Sequence, residues 1–403
     1  MPIDRRSFCT ASAMAMMATA APWHGRGRGG GADSWIPTDR HLGELPEWME
    51  LASVPGLAIA VIERGEVAWT RPFGVVNAET KVPVTDETLF PAASLGKPVF
   101  GYVVFRLADL GKLDVDRPLA SYYRPADFPA DSRLDRITAR HVLSHTTGLP
   151  NWRNRNDPNL APAFEPGARF QYSGEGFFWL QQVVEAITGQ GVDRVMRERL
   201  FSSAGMPTAT YGWSREVAAR VAYGHDNRGA VATQFTRNLG AKLIPIAERW
   251  SKPIGEWTTG DTFKAVAEAD PSLPRAPNFV LPNVAASLLC TAGEYAKLLA
   301  LMMPGRRRAD WEISEVSRVA MLTPRVELAP TLSWGLGWGL ERQGADRYFW
   351  HWGDNGIFRA FALGDPARRR ALVVFTNAES GPKVYQRMIR AATGLDLGAF
   401  LWV

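Results

Sequence analysis

The feature that most constrains this fold is where the chain keeps its strand-like runs. Two runs, residues 57–62 and 66–71, flank Glu63-Arg64-Gly65 and predict a hairpin near the start. Four more, at 333–340, 348–352, 357–363 and 371–377, crowd towards the end and are separated by Gly, Asp and Pro turns. Connections that short join antiparallel neighbours, because a parallel pair needs a crossover of about a dozen residues or more. Between the two groups the apolar spacing turns helical. The expectation is an α+β, multi-lobed fold: an antiparallel sheet flanked by helices and built from both chain ends. A mainly helical lobe, about residues 125–284, is inserted between them. At 403 residues the chain exceeds the ~250–300 at which one core stops growing, which also favours two lobes.

Val99, Phe100, Val103, Val104, Leu107 and Leu110 mark a helix that ends near Gly111. A short helix over 138–144 takes Thr138 as its cap. An amphipathic helix over 176–187 has Phe177, Leu180, Val184 and Ile187 on one face and Gly189 as its stop. The Ala- and Leu-rich stretch 284–303 is expected to be helix and to bury Cys290 as packing. A closing helix is expected over 382–392. Residues 225–285 hold many prolines and show no clear period. They are expected to pack over the helical lobe rather than to line a pocket.

Chemistry concentrates where the helix behind Val99 begins. Ser94-Leu95-Gly96-Lys97 sets a hydroxyl and an amine three positions apart, on one helical face. A serine hydroxyl is a poor nucleophile until a base takes its proton, and a nearby amine is one activator. The helix start adds a positive dipole end and free N–H groups, which favour charge building on an attacked carbonyl oxygen. Downstream lie Tyr172-Ser173-Gly174 and His351-Trp352-Gly353. Around them stand Val54-Pro55-Gly56-Leu57, Thr88-Leu89-Phe90, Leu143-Ser144-His145-Thr146-Thr147-Gly148-Leu149-Pro150, Pro166-Gly167 and Trp334-Gly335-Leu336-Gly337-Trp338. In this order and spacing, the motifs resemble the serine beta-lactamase and penicillin-binding superfamily over about residues 50–395. The class C beta-lactamase-like group is most similar. It also holds D-amino-acid peptidases, D-alanyl-D-alanine carboxypeptidases and family VIII carboxylesterases.

That resemblance implies a serine hydrolase working through an acyl-enzyme on Ser94, without metal or organic cofactor. It assigns proton transfer to Lys97 and Tyr172, with the base role carried onto Tyr172. A free lysine titrates near ~10.4 and tyrosine near ~10, so either needs a shift of ~3 units to act as base at neutral pH. The two share one proton system, and the residues alone do not name a single base. The resemblance also implies that the backbone N–H groups of Ser94 and Asp354 form an oxyanion hole, and that Gly174, Trp352, Gly353 and Asp354 bind substrate. Gly353 is expected to let substrate backbone approach the strand closely. Two departures stand out. His351 replaces a lysine that many relatives have, so a fixed charge for a substrate carboxylate is missing unless Arg359 supplies it. Gly174 stands where beta-lactamases have an asparagine that bonds the substrate amide. Both favour esters or small D-amino-acid amides over beta-lactams, with peptidoglycan-derived compounds within the range.

Competing patterns are poorer fits. His141 and His145 have a zinc-like i, i+4 spacing, but the H-E-x-x-H glutamate is missing and no third ligand is evident. His145 is expected to be a loop hydrogen bonder. Ala92-x-Ser94-x-Gly96 has the form of a nucleophile elbow, yet Pro91 interrupts the strand it requires and Lys97 would have no task. The remaining alternatives are a beta-lactamase or penicillin-binding protein, and a binder of cell-wall material that has lost turnover.

The N-terminus reads as an address. Arg5-Arg6-Ser7-Phe8, a mildly apolar run over 9–22 and Ala18-Thr19-Ala20 form a twin-arginine-type signal over 1–20, with linker over 21–45 and the hydrolase over 46–403. The run is too short to span a bilayer, which takes ~20 apolar residues, so the mature chain is expected to be periplasmic or secreted without a stable membrane span. Cys9 would leave with the signal, and Cys290 alone forms no internal disulfide. The net charge of +5 includes no run of five Lys and Arg, so no nucleic-acid partner is expected.

Overall fold

The computed structural model describes residues 34–153, 160–305 and 308–403. The signal over 1–20 and the Gly-rich part of the linker lie outside the described residues. The linker expected up to residue 45 is too long, because a helix already runs over Asp39–Leu51, capped by Thr38. Its stripe of Leu45, Trp48 and Met49 needs burial, and it finds it beside the closing helix Gly381–Thr393.

Ten strands follow in chain order: β1 (Gly56–Glu63), β2 (Glu66–Gly74), β3 (Phe90–Ala93), β4 (Leu288–Cys290), β5 (Val326–Ala329), β6 (Leu332–Trp334), β7 (Gly339–Gln343), β8 (Asp346–Asp354), β9 (Arg359–Asp365) and β10 (Arg370–Thr376). Eight form one antiparallel sheet in the order β2-β1-β10-β9-β8-β7-β6-β5. The pairing of β1 with β10, Leu57 opposite Thr376, joins the two chain ends. β1 is buried on both faces, which explains its nearly unbroken apolar run. Ala58, Ala60 and Ile62 face one core with Val373 and Phe375. Leu57, Ile59 and Val61 face another with Leu372 and Val374. β2 is an exposed edge and carries Pro72, which only an edge strand tolerates well.

The first core continues without a break into the helical part. It joins Val99, Phe100 and Val103 of the helix Gly96–Asp109 to Val183 and Val184 of the helix Gly174–Thr188. The expected helices at 138–144 and 176–187 are present as Ala139–Leu143 and Gly174–Thr188, stopped by left-handed Gly189.

Three expectations need correction. Residues 225–285 hold two helices, Phe235–Arg249 and Thr259–Ala269, with a separate core of Trp213, Leu239, Leu243, Ile246, Trp257 and Val266. Pro245 in the first of them disguised its period. Residues 284–303 are not one helix: β4 comes first and Ala292–Leu301 follows, capped by Thr291. Cys290 is buried as expected, but in a strand. Residues 333–340 are not one strand, since Gly335 to Trp338 turn the chain between β6 and β7.

β3 and β4 form a separate two-stranded ribbon, with Phe90 opposite Cys290 and Ala93 opposite Leu288. The strand before Ser94 therefore does not belong to the main sheet, and the nucleophile-elbow reading falls with it.

Candidate active site

Ser94 sits in the turn between β3 and the helix Gly96–Asp109. Ala93 just before it has φ of 50°, a left-handed conformation that costs a non-glycine residue roughly 1–2 kcal/mol. That bend turns the chain so that Ser94 lines a cleft of about 390 Å³. The helix it precedes is sunk in the core, so Lys97 is only 1% exposed.

The Lys97 ammonium nitrogen donates to Ser94 Oγ at 3.0 Å and to the Ala285 carbonyl at 2.7 Å. The ribbon explains the second contact, because Ala285 lies just before β4, which pairs with the strand leading to Ser94. Lys97 Nζ also stands 4.8 Å from the centre of the Tyr172 ring and 5.7 Å from that of Phe177. Burial without a carboxylate partner brings its pKa down to about 7. Desolvation penalises the charged form, and here nothing offsets it.

Tyr172 is delivered by the loop before the helix Gly174–Thr188. Ser173 caps that helix by accepting from Gly176 N at 3.0 Å. The loop is held by the 143–150 turn: Ser173 N donates to His145 Nδ1 at 3.0 Å and Gln171 N to the His145 carbonyl at 2.7 Å. The His145 ring stacks on Tyr172 with centroids 4.1 Å apart. His145 is thus the loop hydrogen bonder expected, while the His141 ring turns away to the cap at Thr138. The Tyr172 hydroxyl is enclosed and closes no hydrogen bond of ordinary geometry. Burial raises its pKa, and Ser94 stands near enough to pull weakly the other way.

The two shifts run in opposite directions. The phenol is held protonated, whereas the amine loses its proton near neutrality. Burial therefore favours the neutral form of both groups, an amine at Lys97 and a phenol at Tyr172.

His351 lies on β8, fully buried. Its Nδ1 contacts the Trp352 carbonyl at 2.7 Å, which makes Nδ1 the protonated nitrogen of a neutral ring. Burial, with Lys97 as a second cause, brings its pKa down to about 3. The position therefore carries no charge at working pH. Arg359 does not replace the missing cation: it is ion-paired to Asp354 and is not among the residues lining the cleft.

Of the four residues expected to bind substrate, Asp354 lines the cleft and the other three are not among its lining residues. Gly353 meets protein rather than substrate, since a Cβ there would lie 2.4 Å from the Ala92 carbonyl oxygen. Glycine is needed so that β8 can press against β3. A Cβ on Gly174 would meet the Trp152 ring at 2.6 Å. Trp352 packs on Tyr172, with ring centres 4.9 Å apart.

Asp354 pairs with Arg359 across β8 and β9, next to a pair in which Asn355 N donates to Phe358 O. Hydrogen-bonded and free pairs alternate along an antiparallel ladder, so the Asp354 N–H points away from β9. On that side the β7 ladder stops at Trp350. The Ser94 N–H donates to no described residue. Neither N–H group expected to form the oxyanion hole is taken up by a neighbouring strand.

Sequence reasoning missed much of the wall. Asn151 and Trp152, directly after the 143–150 motif, line the cleft, and Asn151 Oδ1 accepts from Gly174 N at 3.0 Å. Residues 233–237 and parts of 278–289 also line it, which reverses the expectation that 225–285 would stay clear of the pocket. No local pattern announces this, because the contact is made by folding back across the sequence.

The profile of the family described as beta-lactamase matches residues 44–395. The chain belongs to the beta-lactamase family. This member is 30% identical to penicillin-binding protein 4 of Amycolatopsis lactamdurans, over 43% of this chain and 49% of that protein. It is 32% identical to the esterase EstB of Burkholderia gladioli, over 37% of this chain and 45% of that protein. The matches thus span less than half the length of these relatives. The fold is that of the D-alanine carboxypeptidase AmpC from Burkholderia cenocepacia, with a TM-score of 0.66 at 16% identity, covering 88% of this chain and 97% of that one.

Proposed function

We propose that this family member is a serine hydrolase that acts through an acyl-enzyme on carboxyl esters or small amides. The observation that carries the reading is the enclosed Lys97 amine, 3.0 Å from Ser94 Oγ, whose pKa burial brings down to about 7 so that a large share of it is unprotonated at neutral pH. Lys97 takes the serine proton as Oγ attacks the acyl carbonyl, and the oxyanion meets the N–H groups of Ser94 and Asp354. The proton passes through Lys97 and the Tyr172 phenol to the leaving oxygen or nitrogen, which departs as alcohol or amine. Water then attacks the acyl carbon, and the same groups return its proton to Ser94 Oγ as the acid leaves.

Neutral His351 and the absence of an asparagine at 174 favour esters or D-amino-acid amides over beta-lactams. Export through the twin-arginine-type signal is part of the same proposal, and N-terminal sequencing of periplasmic protein tests it. The test of function is labelling by a fluorophosphonate probe, followed by side-by-side turnover of p-nitrophenyl esters, D-alanyl amides and nitrocefin. Labelling of the wild type but not of Ser94→Ala, with ester or amide turnover above that of nitrocefin, is expected. Labelling unchanged in Ser94→Ala overturns the reading, and so does its complete absence.

A further inference from the structure

The wall of the cleft carries a charge that the mechanism does not use. Lys97 and Arg237 are the cations among the residues lining the cleft, and Asp354 is the carboxylate. Asp354 is already neutralised by Arg359. Arg237 is not neutralised. Its two terminal nitrogens donate to the carbonyls of Ala218 at 2.7 Å and Val221 at 2.6 Å, which carry no formal charge. Its Nε is buried without a partner, and no carboxylate pairs with it among the described residues. The guanidinium lies over the Tyr223 ring, 4.0 Å from its centre. Two carbonyls and a ring face hold it in one orientation, leaving N–H donors unused.

Its position is also electrostatically costly. Arg237 lies in the first turn of the helix Phe235–Arg249, which has no acidic residue in that turn. The positive end of a helix disfavours a cation and favours an anion. Clamping the end of the helix Arg215–Arg220 would account for the two carbonyl contacts. It does not account for an unpaired cation in the wall of the catalytic cleft.

We infer that Arg237 is a specificity-determining residue that binds a carboxylate on the non-reacting part of the substrate. Resting on the hydrolase reading above, this narrows the substrate class to acidic esters and N-acylated amides. A free α-ammonium would be repelled by the same charge, so unprotected D-amino-acid amides are disfavoured.

The test pairs an anionic ester with a neutral one that has the same reacting bond type. Mono-p-nitrophenyl glutarate is compared with p-nitrophenyl butyrate, which puts the anion on the acyl side. The butyrate ester of 4-hydroxybenzoate is compared with phenyl butyrate, which puts it on the leaving group. In at least one pair the wild type is expected to prefer the anionic ester by about tenfold or more in kcat/KM, the scale of one charged hydrogen bond. Arg237→Gln should abolish that preference through KM, and Arg237→Lys should keep part of it. The readout is a ratio within each variant, so a general loss of folding or catalysis cancels. A purely structural clamp would lower both esters of a pair alike, and that result overturns the inference, as does equal turnover by the wild type. If no ester is turned over, glutarate binding to Ser94→Ala protein by calorimetry still decides. Binding weakened about tenfold by Arg237→Gln supports the carboxylate site, and binding that is absent or unchanged overturns it. Failure of the hydrolase reading is recognised separately, by the fluorophosphonate result.

Discussion

Lys97 is a side chain whose surroundings set its chemistry. Enclosed beside Ser94 and Tyr172 with no carboxylate partner, it has a pKa of about 7 because burial penalises the charged form. The base must be deprotonated, so kcat/KM should rise tenfold per pH unit up to about pH 7 and then level. His351, brought down to about 3, contributes no limb in that range, and the phenol, shifted upward, would put one far higher. A pH–rate profile on p-nitrophenyl butyrate checks this, and a rising limb centred near pH 4–5 or near pH 9–10 in place of the one at about 7 would remove Lys97 from the base role. Lys97→Ala should cut kcat/KM by about 10²–10⁴, the usual contribution of a positioned base. Retained fluorophosphonate labelling at the wild-type rate would contradict that. Ser94 and Lys97 were legible in the sequence because three residues on a helix are neighbours wherever the helix lies. How the surroundings shift the protons of Lys97 and Tyr172 was not, since that depends on which group is desolvated and what faces it.

Among the elements, the contact between β8 and β3 carries the site. β8 supplies His351 and Asp354, β3 leads to Ser94, and Gly353 lets the two approach. Gly353→Ala would place a methyl 2.4 Å from a backbone oxygen that cannot swing away. It should lower stability by about 1–3 kcal/mol, the cost of overpacking a tight site, and slow acylation by moving Asp354 away from Ser94. Thermal unfolding and labelling rate measure the two effects, and a variant with unchanged melting and labelling would refute the close-approach role. Elements with a clean period, such as β1, β10 and the helix Gly174–Thr188, were legible. The helix Phe235–Arg249 was not, because Pro245 and a mixed face mask its repeat.

For the whole molecule, β1 ties the ends together. It is bonded to β2 on one side and β10 on the other, so the sheet has no finished core until the last strands arrive. A chain ending at residue 369, without β10 and the closing helix, should fail to give soluble, cooperatively melting protein. Expression followed by circular dichroism checks this, and a soluble truncated chain with a sharp transition would refute it. The same closure brings the 233–237 and 278–289 segments across the cleft, where no local pattern could place them.

By itself, the sequence determined what local spacing encodes: the antiparallel sheet from both ends, the serine and amine on one helical turn, and the motifs that mark the family. Tertiary structure alone decided what surrounds each of these groups. It sealed Lys97 and Tyr172 with opposite effects on their protons, paired Arg359 with Asp354, and left Arg237 unpaired on the cleft wall. Periodicity is a property of neighbours along the chain. Desolvation and charge pairing depend on neighbours in space, and those exist only once the chain has closed on itself.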